Sequence, residues 1–216
     1  MKPAQPCPLC SARATHWFAD HWRDYYRCPR CALVAVPAGQ HPAAAEERAE
    51  YELHDNAVED PGYRRFLSRL AEPLLERLPP GSSGIDFGCG PGPALAAMLE
   101  EAGHRTALYD IFYYPDTGVL QPGQDFITAT EVVEHLSRPG EELDRLWGLL
   151  RPGGWLAVMT QRLPEREAFA GWRYRRESTH VCFFAAETFR WLAEQWNAEL
   201  VLEGRDVALL RKVVPP

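Results

Sequence analysis

The stretch Gly84-Ile85-Asp86-Phe87-Gly88-Cys89-Gly90-Pro91-Gly92 decides how the rest of the chain is read. A short apolar run carrying one acid enters a loop with glycines at alternate positions. Pro93-Ala94-Leu95-Ala96-Ala97-Met98-Leu99-Glu100-Glu101 follows with the composition of a helix. Strand, glycine loop and helix N-terminus together form a cradle for a nucleotide-type cofactor. Glycine permits a left-handed backbone and a close approach of the main chain to a ligand. A dinucleotide fingerprint has the spacing G-x-G-x-x-G, with the helix aimed at a pyrophosphate. Here the third glycine comes one residue early, and Pro93 stands where that fingerprint has its glycine. Asp86 would repel a pyrophosphate but suits an ammonium or sulfonium charge. Taken alone, the loop also fits a glycine-rich turn that binds nothing.

The sequence beyond the loop favours the cofactor. Gly103 stops the helix, and Thr106-Ala107-Leu108-Tyr109 reads as a second buried strand ending in Asp110. An acid at that tip, about 20 residues past the loop, is placed to accept hydrogen bonds from ribose hydroxyls. A turn-capping role before Pro115 is the alternative. Ile111 and Phe112 follow, placed to wall an adenine. A third β-rich run, Asp125 to Thr130, passes directly into a helical pattern at Glu131-Val132-Val133-Glu134-His135-Leu136, bounded by Pro139-Gly140. Leu143, Leu146, Leu149 and Leu150 recur at helical spacing. Arg151-Pro152-Gly153-Gly154 stops that helix, and Trp155-Leu156-Ala157-Val158-Met159 reads as a further strand.

These pieces, in this order, resemble the class I S-adenosylmethionine-dependent methyltransferases over roughly residues 60 to 210. The resemblance implies an α/β fold with a Rossmann-like, doubly wound, mostly parallel sheet. It implies S-adenosylmethionine as cofactor, bound by Asp86, Gly88, Cys89, Gly90, Gly92, Asp110, Ile111, Thr130 and Glu131. Leu200-Val201-Leu202 and Val207-Ala208-Leu209-Leu210 suit the last two strands, antiparallel in that family. The pattern departs from the family between Asp110 and Asp125: either Val119-Leu120 is a remnant third strand or that strand is missing.

The N-terminal segment reads differently. Cys7-x-x-Cys10 and Cys28-x-x-Cys31 are separated by 17 residues, the spacing of a four-cysteine zinc ribbon. Each pair aims two thiolates at one metal, and four thiolates leave no open position, so the Zn²⁺ expected is structural. A redox dithiol or an unmetallated pair of turns is the rival reading. Thr15-His16-Trp17-Phe18 and Asp24-Tyr25-Tyr26-Arg27 suit hairpin strands. His16 and His21 are alternative ligands, displaced by the complete cysteine set. Cys89, small inside the glycine loop, and Cys182, in an apolar run, are given no nucleophilic role. The expected division is a zinc ribbon over 1–36, a linker and lid segment over 37–60, and a methyltransferase domain over 61–216.

The substrate side is read from two places. Tyr51, His54 and Tyr63 precede or open an amphipathic helix over 64–78, with Phe66, Leu67, Leu70, Leu74 and Leu75 on one face. After the strand read at Trp155 to Met159 comes an insert with Phe169, Trp172, Tyr174, three arginines and His180. Ligands of open α/β sheets bind beyond the carboxyl ends of the strands, where this insert begins. Tyr51, Trp172, Tyr174 and Arg175 are therefore the candidate substrate contacts. A hydroxyl or ammonium acceptor needs a base, and His180 and His135 are the candidates. Both also fit structural, hydrogen-bonded histidines.

Bulk numbers set the limits. The chain has 216 residues, 46% hydrophobic and 25% charged, with a net charge of −7. That acidity disfavours broad nucleic-acid binding. No run approaches the roughly 20 apolar residues of a membrane span, and no hydrophobic signal segment follows Met1-Lys2-Pro3. The expectation is a cytoplasmic enzyme that methylates a small molecule. An RNA or protein methyltransferase gripping its substrate through the ribbon is the first alternative. A non-catalytic, cofactor-binding adaptor is the second.

Overall fold

A computed structural model describes residues 2–43, Glu46 and 57–214. The N-terminal segment is a small antiparallel sheet: β1 (Gln5–Pro6), β2 (Arg13–Ala19), β3 (Asp24–Arg27) and β4 (Val34–Ala35). Two cysteine turns bracket it and are built alike. Cys7 N–H donates to Ala12 O and Ser11 N–H to Cys7 O; Cys28 N–H donates to Leu33 O and Ala32 N–H to Cys28 O. The residue after each pair, Ser11 or Ala32, takes a positive φ near 60°. This repeated turn is what C-x-x-C sequences supply when two thiols must face one point.

The second sheet is the larger. Its strands are β5 (Ser83–Phe87), β6 (Arg105–Tyr109), β7 (Gln124–Thr130), β8 (Leu150–Met159), β10 (Ala198–Glu203) and β11 (Val207–Lys212), in the order β6-β5-β7-β8-β11-β10. β6, β5, β7 and β8 run parallel, while β11 is antiparallel to β8 and β10 to β11. Continuous apolar runs such as Phe126-Ile127 and Leu156-Ala157-Val158 are buried, as strands covered on both faces require. Helices α1 (Pro61–Leu75), α2 (Ala94–Glu101), α3 (Pro139–Leu149) and α4 (Ala186–Trp196) cover the faces. One core lies between α1, α2 and the sheet, around Leu70, Leu74, Leu99, Phe126 and Leu209. The other continues without a break from the opposite face into the ribbon, through Ile127, Val158, Phe183, Phe169 and Tyr25.

Of the two readings left open between Asp110 and Asp125, the structure has the missing third strand: residues Thr117–Val119 make one 3-10 turn, capped by Asp116 onto Gly118 N–H, and β6 is the sheet edge among the described residues. Polar and turn-forming residues from Pro115 to Gly123 leave too little apolar length for a buried strand. Other expectations are corrected. The first helix starts at Pro61, not Arg64, because Asp60 accepts from Tyr63 N–H at 2.6 Å and Pro61 fits the first turn. It ends at Leu75. Pro139-Gly140 opens α3 instead of closing a helix from Glu131; residues Val133–His135 form only a 3-10 turn. β8 begins at Leu150 and carries Pro152-Gly153-Gly154 within it.

The ribbon is also not closed at residue 36. A fifth strand, β9 (Cys182–Phe183), comes from the C-terminal half and pairs with β4. Val36 N–H donates to Val181 O at 2.9 Å. On the other side the first cysteine turn rests on the start of α3. A Cβ on Gly140 would stand 2.4 Å from Leu9 O, so only glycine admits this contact. Ala38–Gln40 form a short 3-10 turn, and most of the expected linker and lid, with Tyr51 and His54, lies outside the described residues.

Candidate active site

The glycine loop leaves β5 at the carboxyl end of the sheet. Gly88 and Gly90 hold φ of 71° and 64°. A Cβ at Gly88 would meet Val132 Cγ2 at 2.5 Å, whereas nothing among the described residues lies within 4 Å of a Cβ at Gly90. Gly88 therefore serves close packing of two strand tips, and Gly90 leaves open room in the cradle. Asp86 is buried beneath the loop and accepts from Thr128 Oγ1 at 2.7 Å. Burial pushes its carboxyl up to about 6, with Thr128 and the Ala96 amide pulling the other way.

Asp110 stands at the tip of β6 as expected, and it joins the loop to the next turn. Its Oδ2 accepts from Gly90 N–H at 3.0 Å; its Oδ1 accepts from Phe112 and Tyr113 N–H at 2.8 and 3.1 Å. The two main-chain bridges between Asp110 and Tyr114 close this turn. A carboxylate has about four lone-pair sites, so ribose hydroxyls are still accommodated. Ile111 is exposed at 60%, an apolar side chain beside the acid. Cys89 is buried, and burial raises its thiol, which keeps it a neutral wall of the loop. At the tip of β7, Thr130 Oγ1 is buried without a hydrogen-bond partner among the described residues. An orphaned hydroxyl, an open glycine cradle and two acids at adjacent strand ends fit a cationic nucleoside cofactor. Gly92 adds no left-handed turn; its carbonyl accepts from Ala94 N–H as α2 begins.

A second group of side chains gathers beside this cradle, around the hydroxyl of Tyr174. It contacts Thr160 Oγ1 at 3.1 Å, Glu131 Oε2 at 3.1 Å and, in a shorter contact, Glu134 Oε1. Glu131 takes a positive φ of 51° at the end of β7, unusual for a side chain of this size, and its N–H donates to Met159 O. Burial raises both carboxyls: Glu131 to about 7, Glu134 well above the ordinary range, with the Glu131 charge adding to the latter. A phenol has one proton, so three acidic oxygens this close require at least one protonated carboxyl. Glu134 Oε2 is buried without a partner among the described residues.

The histidines complete the cluster. His180 Nδ1 lies 2.7 Å from Tyr174 O, and His135 Nδ1 lies 3.2 Å from Thr179 O. A carbonyl only accepts, so each Nδ1 carries hydrogen and a neutral ring has its lone pair on Nε2. The rings meet edge-on at 4.7 Å, and Tyr174 tilts over His180 at 4.1 Å. A nitrogen of each and a Glu134 oxygen lie within 4.8 Å of one another. The structure therefore brings both candidate bases together with Tyr174, one of the candidate substrate contacts. Trp172 lies tilted against Tyr174 at 5.1 Å, its Nε1 donating to Gln161 Oε1.

Arg175 is corrected. It is buried, its Nε donates to Phe169 O and its Nη2 to Ala170 O, and its Nη1 pairs with Asp20 of the ribbon. With its donors consumed inside the protein it joins two parts of the chain and does not face a substrate. Residues the sequence reading had not singled out replace it at the site. Thr160, Glu134 and Asp206 surround Tyr174 and Glu131, with Asp206 held by Arg69 at 2.5 Å. Tyr63 overlooks the same space, its hydroxyl pushed up to about 12 by burial and by the charges of Asp86 and Glu131. Nothing in local sequence marks Thr160 or Asp206; they become visible only when β8 and β11 are seen as neighbours.

The four ribbon sulfurs also converge. Cys7 and Cys31 Sγ are 3.5 Å apart, Cys10 and Cys28 Sγ 3.4 Å, and all four lie within 4.8 Å of one another. A tetrahedral ion with Zn–S bonds of about 2.3 Å separates its sulfurs by about 3.8 Å. The spacing is far from the roughly 2.05 Å of a disulfide, and all six cysteines are free thiols. The donor set thus fits zinc. His16 instead meets Asp24 at 3.1 Å, and the His21 ring lies tilted against Trp22.

Comparison with known proteins agrees with this architecture. The family model of the methyltransferase domain matches residues 60–203. No curated protein matches the sequence. Among solved structures, 1,6-didemethyltoxoflavin-N1-methyltransferase from Burkholderia thailandensis, with bound 1,6-didemethyltoxoflavin and S-adenosylhomocysteine, is 18% identical, with a TM-score of 0.52 over 93% of this chain and 100% of that one. An O-methyltransferase family 2 protein from Planctomyces limnophilus, in complex with apigenin, is 19% identical, with a TM-score of 0.48 over 72% of this chain and 63% of that one. The chain belongs to the methyltransferase-domain family and is an enzyme of the S-adenosylmethionine-dependent class. No helix among the described residues is long and apolar enough to cross a membrane.

Proposed function

We propose that the protein transfers a methyl group from S-adenosylmethionine to a small molecule held between Tyr63, Glu131, Trp172, Tyr174 and His180. The observation that carries this reading is the juxtaposition of the Asp86–Gly90 cradle with the Tyr174 cluster at neighbouring strand ends. S-adenosylmethionine supplies an activated methyl on a sulfonium, so positioning of the acceptor provides much of the rate. Asp110 takes the ribose, and Asp86 and Glu131 offer negative charge toward the cationic end. Thr130 Oγ1 gains the partner it lacks. His180, with Nδ1–H fixed on Tyr174 O, presents Nε2 for the acceptor proton, and His135 orders the same corner. Glu134 and Tyr174 fix the acceptor's polar groups.

The four cysteines hold a structural zinc in this reading. A small acceptor is favoured over RNA or protein because the ribbon's hairpin is spent on internal contacts, and the chain carries a net charge of −7. Calorimetry with S-adenosylhomocysteine tests the cofactor, with Asp110→Ala weakening it by about tenfold or more, the loss of charge-assisted hydrogen bonds. No binding at millimolar concentration refutes the reading. Methyl-labelled cofactor, incubated with the enzyme and cell extract, should label the ultrafiltered small-molecule fraction. Label confined to RNA or protein would replace the small-molecule acceptor.

A further inference from the structure

Two arginines cross between the ribbon and the segment that carries His180. Arg23, at the β2–β3 turn, sends Nη1 to the carbonyls of Ser178 and His180, each at 3.0 Å. Its Nη2 reaches Glu177 O at 3.0 Å and, in a shorter contact, Arg175 O. One guanidinium thus gathers four carbonyls from six consecutive residues. Arg175 travels the other way, pairing with Asp20. Asp20 in turn fixes the turn from which Arg23 departs, accepting from Trp22 and Arg23 N–H at 2.8 Å each. β9 then adds the residues after His180 to the ribbon sheet.

Residues 173–181 hold little regular structure of their own. They have one 3-10 turn, Arg173–Arg176, and no main-chain ladder before β9. Carbonyls of such a segment need donors, and a planar guanidinium with five N–H groups in a fixed fork is suited to collecting several. The carbonyl of His180 is one that Arg23 holds, and the carbonyl of Tyr174, which orients the His180 ring, lies one residue before another.

We infer that the ribbon is the positioning device of the catalytic segment: Arg23 is a positioning residue that holds residues 174–180 so that Tyr174 and His180 face the acceptor. This rests on the acceptor-site reading of Tyr174 and His180, but not on the cofactor site, which lies on β5, β6 and β7. The zinc module therefore acts on the reaction through the backbone of the insert and needs no contact with substrate.

Hydrogen exchange across residues 174–183 and the ¹⁵N signals of the His180 ring test this in the full chain. In Arg23→Ala, exchange of that segment should rise by about tenfold or more, while β5 and β7 stay protected. The His180 ring should change from a single Nδ1–H tautomer to a mixture, and S-adenosylhomocysteine affinity should stay within about twofold. Arg23→Lys should recover part of the protection, since an ammonium has fewer, unforked donors. Unchanged exchange and an unchanged tautomer in Arg23→Ala overturn the inference. So does a loss of protection spread equally over the central strands with cofactor binding. If Arg23→Ala does not fold, Arg23→Lys decides alone: wild-type exchange at 174–183 refutes the role, and a rise confined there supports it. Failure of S-adenosylhomocysteine to bind wild-type protein is a separate result, refuting the cofactor reading instead.

Discussion

Asp86 combines full burial with a carboxyl pushed up to about 6, and burial is the larger cause. That combination is unfavourable unless a cation repays the desolvation. A sulfonium or ammonium nearby would favour the carboxylate. Above pH 6 the group is already ionised and meets the cation without cost; below it, binding must first expel a proton. Affinity for S-adenosylmethionine should therefore fall as pH drops from about 7.5 to about 5, by at most about tenfold per pH unit. Asp86→Asn should bind more weakly and without this dependence. Calorimetry at the two pH values checks it, and a wild-type affinity flat with pH removes Asp86 from the cationic end. Motif spacing placed Asp86 and Asp110 correctly in the fold because their positions depend only on where a strand ends. It failed for Arg175, where the deciding fact is a partner, Asp20, 155 residues away.

At the scale of elements, local pattern gave the glycine loop, α2, β6 and β7 nearly to the residue, since each is one run of constant periodicity. It missed where α1 begins because Asp60 capping outweighs the apolar stripe that starts later. It missed β9 altogether, since two residues, Cys182-Phe183, carry no period; only β4 across from them makes them a strand. The four cysteines were legible because metal ligation imposes spacing directly. With the four sulfurs this close, a Zn²⁺ ion bound there would contribute to folding in its own right. Metal analysis should find about one zinc per chain, and Cys28→Ser should lower it. Because β9 and Tyr25 tie the ribbon to the rest, chelation should loosen residues 174–183 as well as 5–35. Near-ultraviolet circular dichroism follows this through Trp17, Tyr25 and Trp172, which lie against Phe169. Folded, metal-free protein with an unchanged spectrum would refute a structural zinc.

For the molecule as a whole, the carboxyl end of the sheet concentrates acids whose ionisation burial shifts to higher pH: Asp86, Glu131 and Glu134. Their effect on stability has a definite sign. An acid whose pKa is raised on folding binds more protons in the folded state, so the unfolded state gains as pH rises. For Glu131 the window runs from its ordinary value of 4.5 to about 7; stability is lost across it and no further above it. Asp20 and Asp24 are lowered instead, so their stabilisation is present at neutral pH and is lost only in acid, below that window. Comparing Glu131→Gln with wild type cancels the groups that do not touch Glu131, and Glu134, which the Glu131 charge raises, shifts in the same sense. The variant's melting temperature should gain on the wild type as pH rises from about 5 to about 7, by about 2–4 °C per kcal/mol for a chain of this size, and the gap should level off above that. Saturating S-adenosylmethionine should shrink the gap at the upper end, because the bound cation favours the Glu131 carboxylate that Gln cannot supply. S-adenosylhomocysteine, lacking the sulfonium charge, should shrink it less. A gap independent of pH would show that Glu131 keeps one protonation state throughout. A gap that both ligands narrow equally would place Glu131 away from the sulfonium. Instability of the free site at neutral pH is then what cofactor binding relieves, and the same acids serve the methyl donor's charge.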